Sequence, residues 1–190
     1  MILENDRYTV TITADSCYTV GSADNKKYDA VSVSASVNRN TVSETLCVSV
    51  SGEKEYSIAL VSKPRICKED YAILEDDLLT VLQNDHVTQI DLKTARITGV
   101  HDLSMFGTAF SIYSIPDGYL IHGEYEIIRL DRSFHKVWSF SGRDAFVSVT
   151  GNTSFEMTEK SIKLRDFEDN FYEIDYSGKE INFISADGET

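Results

Sequence analysis

Basic charge, proline, cysteine and long apolar runs are all scarce in this sequence, and each scarcity removes a class of protein. Lys and Arg number 18 against 31 Asp and Glu, a formal net charge of −13. Phosphate backbones and anionic leaflets repel such a chain, so neither nucleic acid nor a membrane surface is an expected partner. Only two prolines and ten glycines occur in 190 residues, a composition far from collagen or a disordered tract. The three cysteines, Cys17, Cys47 and Cys67, are odd in number and widely spaced, which argues against a disulfide framework or a zinc ribbon. They read as reduced, mostly packed thiols. No apolar run approaches the roughly 18 residues of a membrane-spanning helix, and Met1 to Asp6 shows neither a basic segment nor an apolar leader. The expected compartment is the cytoplasm.

What is present is the ordinary material of a globular core, 42% hydrophobic residues and 26% charged. At this length, folding removes roughly 70% of the unfolded chain's surface from water, so neither a metal nor a disulfide is needed to complete a core. The acidic excess is uneven. Residues 151–190 carry ten acidic and four basic side chains, a face that either solubilises the chain or meets a basic partner.

In the first third, apolar and polar residues alternate with period two, which places one face of a strand in a core and the other in water. Four runs follow this pattern: Tyr8, Val10, Ile12; Val31, Val33, Ala35, Val37; Leu46, Val48, Val50; and Tyr56, Ile58, Leu60. Asp, Asn and Gly between them accept the backbone conformations of tight turns. The pattern predicts an antiparallel N-terminal meander over residues 1–69. Ser32, Ser34, Ser36, Ser49 and Ser51 would form a small uncharged outer face, open to solvent or to a partner.

From residue 70 onward the sequence repeats. Ile90-Asp91, Leu130-Asp131 and Ile174-Asp175 recur at spacings of 40 and 44 residues. Leu78 to Val81, Tyr119 to Ile121 and Ile162 to Leu164 precede these anchors at matching distances. Ile97, Val137 and Ile181 follow each Asp by six residues, and Val100, Phe140 and Ile184 by nine. A unit of strand, turn, strand, Asp-containing turn and strand is expected three times. Residues 68–83 also carry a helical stripe, Tyr71, Leu74, Leu78 and Leu82. The corresponding Pro116-Asp117-Gly118 is a turn signal, however, and decides for strands, with turns at Glu75-Asp76-Asp77 and Thr158-Glu159-Lys160.

The stretch from Glu126 to Phe140, with Asp131 in its turn and Trp138 in the next strand, resembles a blade of a β-propeller of the quinoprotein-like or WD-like type. Phe171 to Ile181, with Gly178 in the turn, is similar to the same element. The resemblance extends over about residues 70–184 and implies a Trp that wedges between blades; Thr98 and Asn182 stand at the corresponding positions of the other repeats. A closed propeller needs at least about four blades. The expected fold is therefore all-β and antiparallel, a small or incomplete propeller of three blade-like repeats (70–190) packed with the N-terminal meander (1–69) as one compact unit. A β-sandwich is the alternative.

The resemblance carries no cofactor residue over, and the sequence shows none of its own. No phosphate-binding glycine loop, dinucleotide fingerprint or nucleophile elbow occurs. His86, His101, His122 and His135 lack the spacing of a metal clamp and read as surface or turn histidines. Asp166, Glu168, Asp169 and Asn170 gather oxygens without the pattern of a calcium loop and read as an acidic turn. No cofactor and no metal are expected. The second repeat alone places charged groups beside glycines, in His122-Gly123-Glu124 and Ser141-Gly142-Arg143-Asp144. Residues that depart from a repeat mark function when the repeat already accounts for the fold. The candidate binding residues are accordingly His122, Glu124, Trp138, Arg143 and Asp144; otherwise Arg143 pairs with Asp144 or Glu124 and only fixes a loop.

Two functions fit. One is a non-enzymatic module that binds a basic protein, in concrete form an inhibitor or immunity-type protein, with ten tyrosines to supply contact area. The other is an enzyme acting on a small molecule or glycan through a carboxylate pair in a cleft, for which a deep pocket holding Glu124, Arg143 and Asp144 is required.

Overall fold

The computed structural model describes residues 1–38, 40–66, 70–148 and 150–187; Cys67 lies outside them. The described residues form seventeen strands and no helix, so no helix is long and apolar enough to cross a membrane. The chain divides into two compact units, Met1–Asp102 and Leu103–Thr190.

Unit 1 opens with strands β1 (Ile2–Glu4), β2 (Thr9–Ala14), β3 (Ala30–Val33), β4 (Glu44–Ser51) and β5 (Tyr56–Ser62). They form a sheet of order β1-β2-β4-β5-β3. The buried faces of β2, β4 and β5 carry the alternating residues read from the sequence, Val10, Ile12, Leu46, Val48, Val50, Ile58 and Leu60. β3 departs from the expected meander. It pairs parallel with β5, Ala30 opposite Ile58 and Val33 opposite Val61. It stops at Val33, and its predicted inner residues Val31 and Val33 are 45% and 42% exposed. Alternation fixes which residues share a face but not which face is covered, and on this edge strand the half-buried face is that of Ala30 and Ser32. Beyond it, Ser34 and Ser36 join their hydroxyls at 2.9 Å and turn the chain, so Ala35 and Val37 never enter a strand.

The repeats form three four-stranded antiparallel sheets. The first is β6 (Ala72–Glu75), β7 (Leu78–Leu82), β8 (His86–Asp91) and β9 (Arg96–Asp102). The second is β10 (Ala109–Ile115), β11 (Gly118–Gly123), β12 (Ile127–Asp131) and β13 (Lys136–Phe140). The third is β14 (Phe155–Met157), β15 (Ser161–Arg165), β16 (Phe171–Asp175) and β17 (Glu180–Ile184). Each is a blade-like meander one strand longer than the unit legible in the sequence, the additional strand being the first. No helix runs through residues 71–82; the chain turns at Asp76, where φ is +52°.

The three Asp anchors occupy equivalent places, each the last residue of its third strand. In each sheet the ladder between third and fourth strands shifts register just before the Asp, at Gln89/Ile90, Arg129/Leu130 and Glu173/Ile174. The carboxylate then caps the turn. Asp131 Oδ1 accepts from the N–H of Ser133 (2.8 Å) and His135 (2.9 Å), Asp175 Oδ1 from those of Ser177 and Lys179, and Asp91 Oδ1 from that of Thr94. These bonds, preceded in weight at Asp175 by the one from the Ser177 hydroxyl at 2.6 Å, favour the charged form and hold the carboxyls below the usual carboxylate range.

The first blade belongs to the same compact unit as the N-terminal sheet, Met1–Asp102. The Tyr56 hydroxyl donates to Leu92 O at 2.7 Å, that of Tyr8 to Asp77 Oδ1 at 3.0 Å, and Arg7 pairs with Asp77 at 2.7 Å. In unit 2 the second and third blades share a core of Ile115, Leu120, Ile127, Phe146, Ile162, Leu164, Tyr172 and Ile174. Trp138 wedges between them, as the resemblance implied. Its indole Nε1 donates to Tyr176 O at 3.2 Å, and its ring lies so close over Gly178 that a Cβ there would sit 2.7 Å from Cδ2.

Candidate functional site

In unit 2, strand register places the segments before β10, between β11 and β12, and after β13 at one end of the second blade, opposite the Asp131 turn. Loops carried on a rigid sheet are where binding residues concentrate. Here they frame a depression of about 390 Å³ that is open to solvent, lined by Phe106, Tyr125, Glu126, Ser141, Gly142, Arg143 and Asp144.

Each wall is held from below. Phe106 is 74% exposed and tilts against Tyr125, ring centroids 5.1 Å apart. Its N–H donates to Glu126 Oε1 at 2.9 Å, and Lys136 braces Glu126 Oε2 at 3.7 Å. Elsewhere in the lining, the N–H of Arg143 donates to the Tyr172 hydroxyl at 2.9 Å, which itself donates to Asp166 Oδ2 at 2.7 Å. The buried Asp166 also takes the Asn170 N–H and amide. Every member of this chain is satisfied, and such networks fix a single geometry. Burial, then the bond to Asp166, pushes the Tyr172 phenol up to about 12, so Tyr172 remains a neutral donor.

The expected site residues separate. Arg143 and Asp144 line the depression. Asp144 Oδ1 caps the N–H of Ala145 at 2.7 Å. Arg143 does not pair with Asp144 or Glu124; among the described residues no carboxylate meets its guanidinium, which lies 4.4 Å over the Phe183 ring. A flat guanidinium gains from stacking where no planar acceptor is in reach. Glu124 acts through its backbone, its N–H donating to Thr108 O and its carbonyl accepting from Phe146. Trp138 belongs to the interface between blades.

His122 is a buried side chain rather than a surface one. It stacks on Phe155 at 4.6 Å, meets Phe110 edge-on at 5.2 Å and lies 3.3 Å from Phe146 O. Burial drives its pKa down to about 4, which keeps it neutral. His86 is buried as well, its Nδ1 2.9 Å from Asp85, whereas His135 is exposed beside the Asp131 turn. The segment 166–170 is a turn whose Asp166 faces inward. Among the described residues no three His, Cys, Asp or Glu side chains gather as a metal site.

The residues missed in the sequence are Phe106, Tyr125 and Glu126. The signal available was an aromatic residue within two positions of a glycine in each of two loops, Phe106-Gly107 and Gly123-Glu124-Tyr125, the second of which contains the candidate Glu124.

No known protein family matches the sequence, and no curated protein matches it. Among solved structures the chain is similar to BamB from Moraxella catarrhalis, with 12% identity over 75% of this chain and 47% of that one and a TM-score of 0.46. It is similar to the AfRom2 CNH domain, with 13% identity over 76% and 48% and a TM-score of 0.46. A third is Hsv2 of Kluyvelomyces marxianus, with 4% identity over 72% and 45% and a TM-score of 0.43. These are β-propeller or WD-like proteins. The chain spans less than half the length of each.

Proposed function

We propose that the protein is a non-enzymatic binding module whose depression at Phe106, Tyr125 and Arg143 anchors a protein partner. One observation carries the reading: an exposed phenylalanine, packed on a half-buried tyrosine, lines the same open depression as an arginine that no carboxylate neutralises among the described residues. Tyr, Trp and Arg supply most hot spots at protein interfaces, because they offer large rigid area or planar donors at modest entropic cost. The rim is pre-organised by the Asp166 network, which lowers the ordering cost of binding. Glu126 beside Asp144 does not form a free acid–base pair, since the Phe106 N–H and Lys136 already engage it.

A net charge of −13 favours a partner with a basic surface and speeds its encounter. An inhibitor or immunity-type protein acting on a basic toxin is the concrete form we favour. Capture from native lysate at low and physiological salt tests the reading. A partner retained by the wild type is expected to be lost by Phe106→Ala and by Arg143→Ala, each weakening binding roughly thirtyfold, the loss of about 2 kcal/mol usual for an anchor residue. Recovery of no partner, or equal retention by both variants, overturns it.

A further inference from the structure

A second depression, of about 400 Å³, lies in unit 1 and carries a different chemistry. Cys47, on β4, sits opposite Thr13 of β2. The loop 15–29 folds beside this part of the sheet and is pinned by Asn25, which exchanges bonds with the backbone of Thr19 at 2.8 and 2.6 Å. The loop brings two side chains to the thiol. Lys26 Nζ donates to Cys47 Sγ at 3.9 Å and stands 5.2 Å from the centre of the Tyr28 ring. The Tyr28 hydroxyl donates to Asp15 Oδ2 at 2.5 Å; burial first, then Asp15 and Cys47, keep that phenol protonated. Ser49 Oγ lies 3.5 Å from the sulfur on its other side. Cys17 and Asp24 line the same depression.

The thiolate is the reactive form of cysteine, and an adjacent ammonium stabilises it. Cys47 is largely buried, at 7% exposed, but its side chain lines the open depression, and a sulfur held there among an ammonium, a phenol and a hydroxyl is placed to react with a molecule that fits. Asp15 and Asp24, on a strongly acidic chain, select what enters: anionic molecules are repelled and cationic ones drawn in.

We propose that Cys47 is a thiol-exchange site that takes up small cationic disulfides. The Cys47 thiolate attacks one sulfur of the disulfide R–S–S–R. The bond between the two ligand sulfurs breaks, a bond from Cys47 Sγ to one of them forms, and the other leaves as a thiolate that takes a proton from water. The disulfide itself is the oxidant. Lys26 acts as a positioning residue whose ammonium faces the attacking sulfur. This inference is independent of the rim reading.

The test exposes the folded protein to cystamine, to the neutral 2-hydroxyethyl disulfide and to glutathione disulfide, and follows each cysteine by peptide mass spectrometry. Cys47 is expected to form the mixed disulfide with cystamine fastest and with glutathione disulfide slowest, the spread narrowing at high salt. Lys26→Met, which removes the ammonium facing the sulfur, is expected to slow Cys47 roughly three- to tenfold while leaving the exposed Cys17 unchanged. Lys26→Arg, which keeps the charge, is expected to restore most of the rate. An unchanged thermal midpoint in both variants separates this effect from misfolding. Modification of Cys47 only in denaturant, or an equal Cys47 rate in Lys26→Met, overturns the site. Faster reaction with glutathione disulfide than with cystamine overturns the ligand class.

Discussion

Gly178 and Trp138 are the two halves of one contact. Gly178 has a φ of +85°, costly for any residue with a Cβ, and the indole occupies the space that Cβ would take. Gly178→Ala is expected to destabilise unit 2 by roughly 2 kcal/mol, and Trp138→Ala by about 3 kcal/mol, both measured by chemical denaturation. Asp166 is a second such point. Asp166→Ala strands the buried donors of Asn170 and Tyr172 and is expected to cost roughly 3 kcal/mol or more, with loss of order at Arg143 visible in amide exchange. His122 gives a pH dependence. Its native pKa of about 4 lies below the ordinary 6.5, so between these values the unfolded chain binds the proton more tightly. Stability is complete above about 6.5 and falls as pH drops towards 4, by up to about 3 kcal/mol for a shift of this size. His122→Phe is expected to flatten that limb in denaturation curves taken across the range. Of these residues only Trp138 announced its role, because an aromatic standing alone in a repeat is conspicuous. His122 did not, since β11 is buried on both faces and offers no alternation to reveal it.

At the scale of elements, the repeated turn is the organising device. Each anchor Asp closes a hairpin whose ladder has just shifted register, and the carboxylate replaces backbone partners that the shift leaves out. Asp131→Ala is expected to lower the thermal midpoint more than Asp131→Asn, whose side-chain oxygen still accepts from Ser133 and His135. Because the native carboxyl is held below its ordinary value, its contribution is complete above about pH 4 and is lost as pH falls through the lowered value; Asp131→Asn removes that acid dependence. Gly118 makes the close approach of β11 to β12 possible: a Cβ there would lie 1.9 Å from Leu130 O. Gly118→Ala must therefore displace β12 and is expected to cost more than about 3 kcal/mol.

The repeat was legible because these turns and the apolar residues around them recur at fixed spacing. One assignment was displaced by a residue. Trp138 pairs with Arg129, two positions before Asp131, and Asn182 pairs correspondingly with Glu173, but in the first blade Gly99, not Thr98, pairs with Gln89. There the positive φ falls four residues after the Asp, at Ala95, instead of three. The first strand of each blade is implied in the sequence only by the turn signals at residues 75–77, 116–118 and 158–160 and lies outside the repeating unit read there; in the first and third blades, β6 and β14 are only four and three residues long. The parallel pairing of β3 was hidden because alternation is blind to strand direction.

For the whole molecule, charge is the property that reaches furthest. Thirteen excess negative charges repel one another, so added salt is expected to stabilise the free protein while slowing its association with a basic partner; most of that effect falls within the range where the screening length shrinks below about 10 Å. The rim depression was only partly legible. Arg143 and Asp144 stood out as departures from the repeat, whereas Phe106 and Tyr125 lie in loops without periodicity and are brought to them only by the fold. The most direct test of the binding role is a photo-crosslinking amino acid placed at Phe106 and, as a control, at the exposed Ile181 of β17, followed by identification of the adducts formed in cells. A single protein partner captured from position 106 and not from 181, and lost on Arg143→Ala, is the predicted result. Adducts that are absent from 106, or equal from both positions, contradict it.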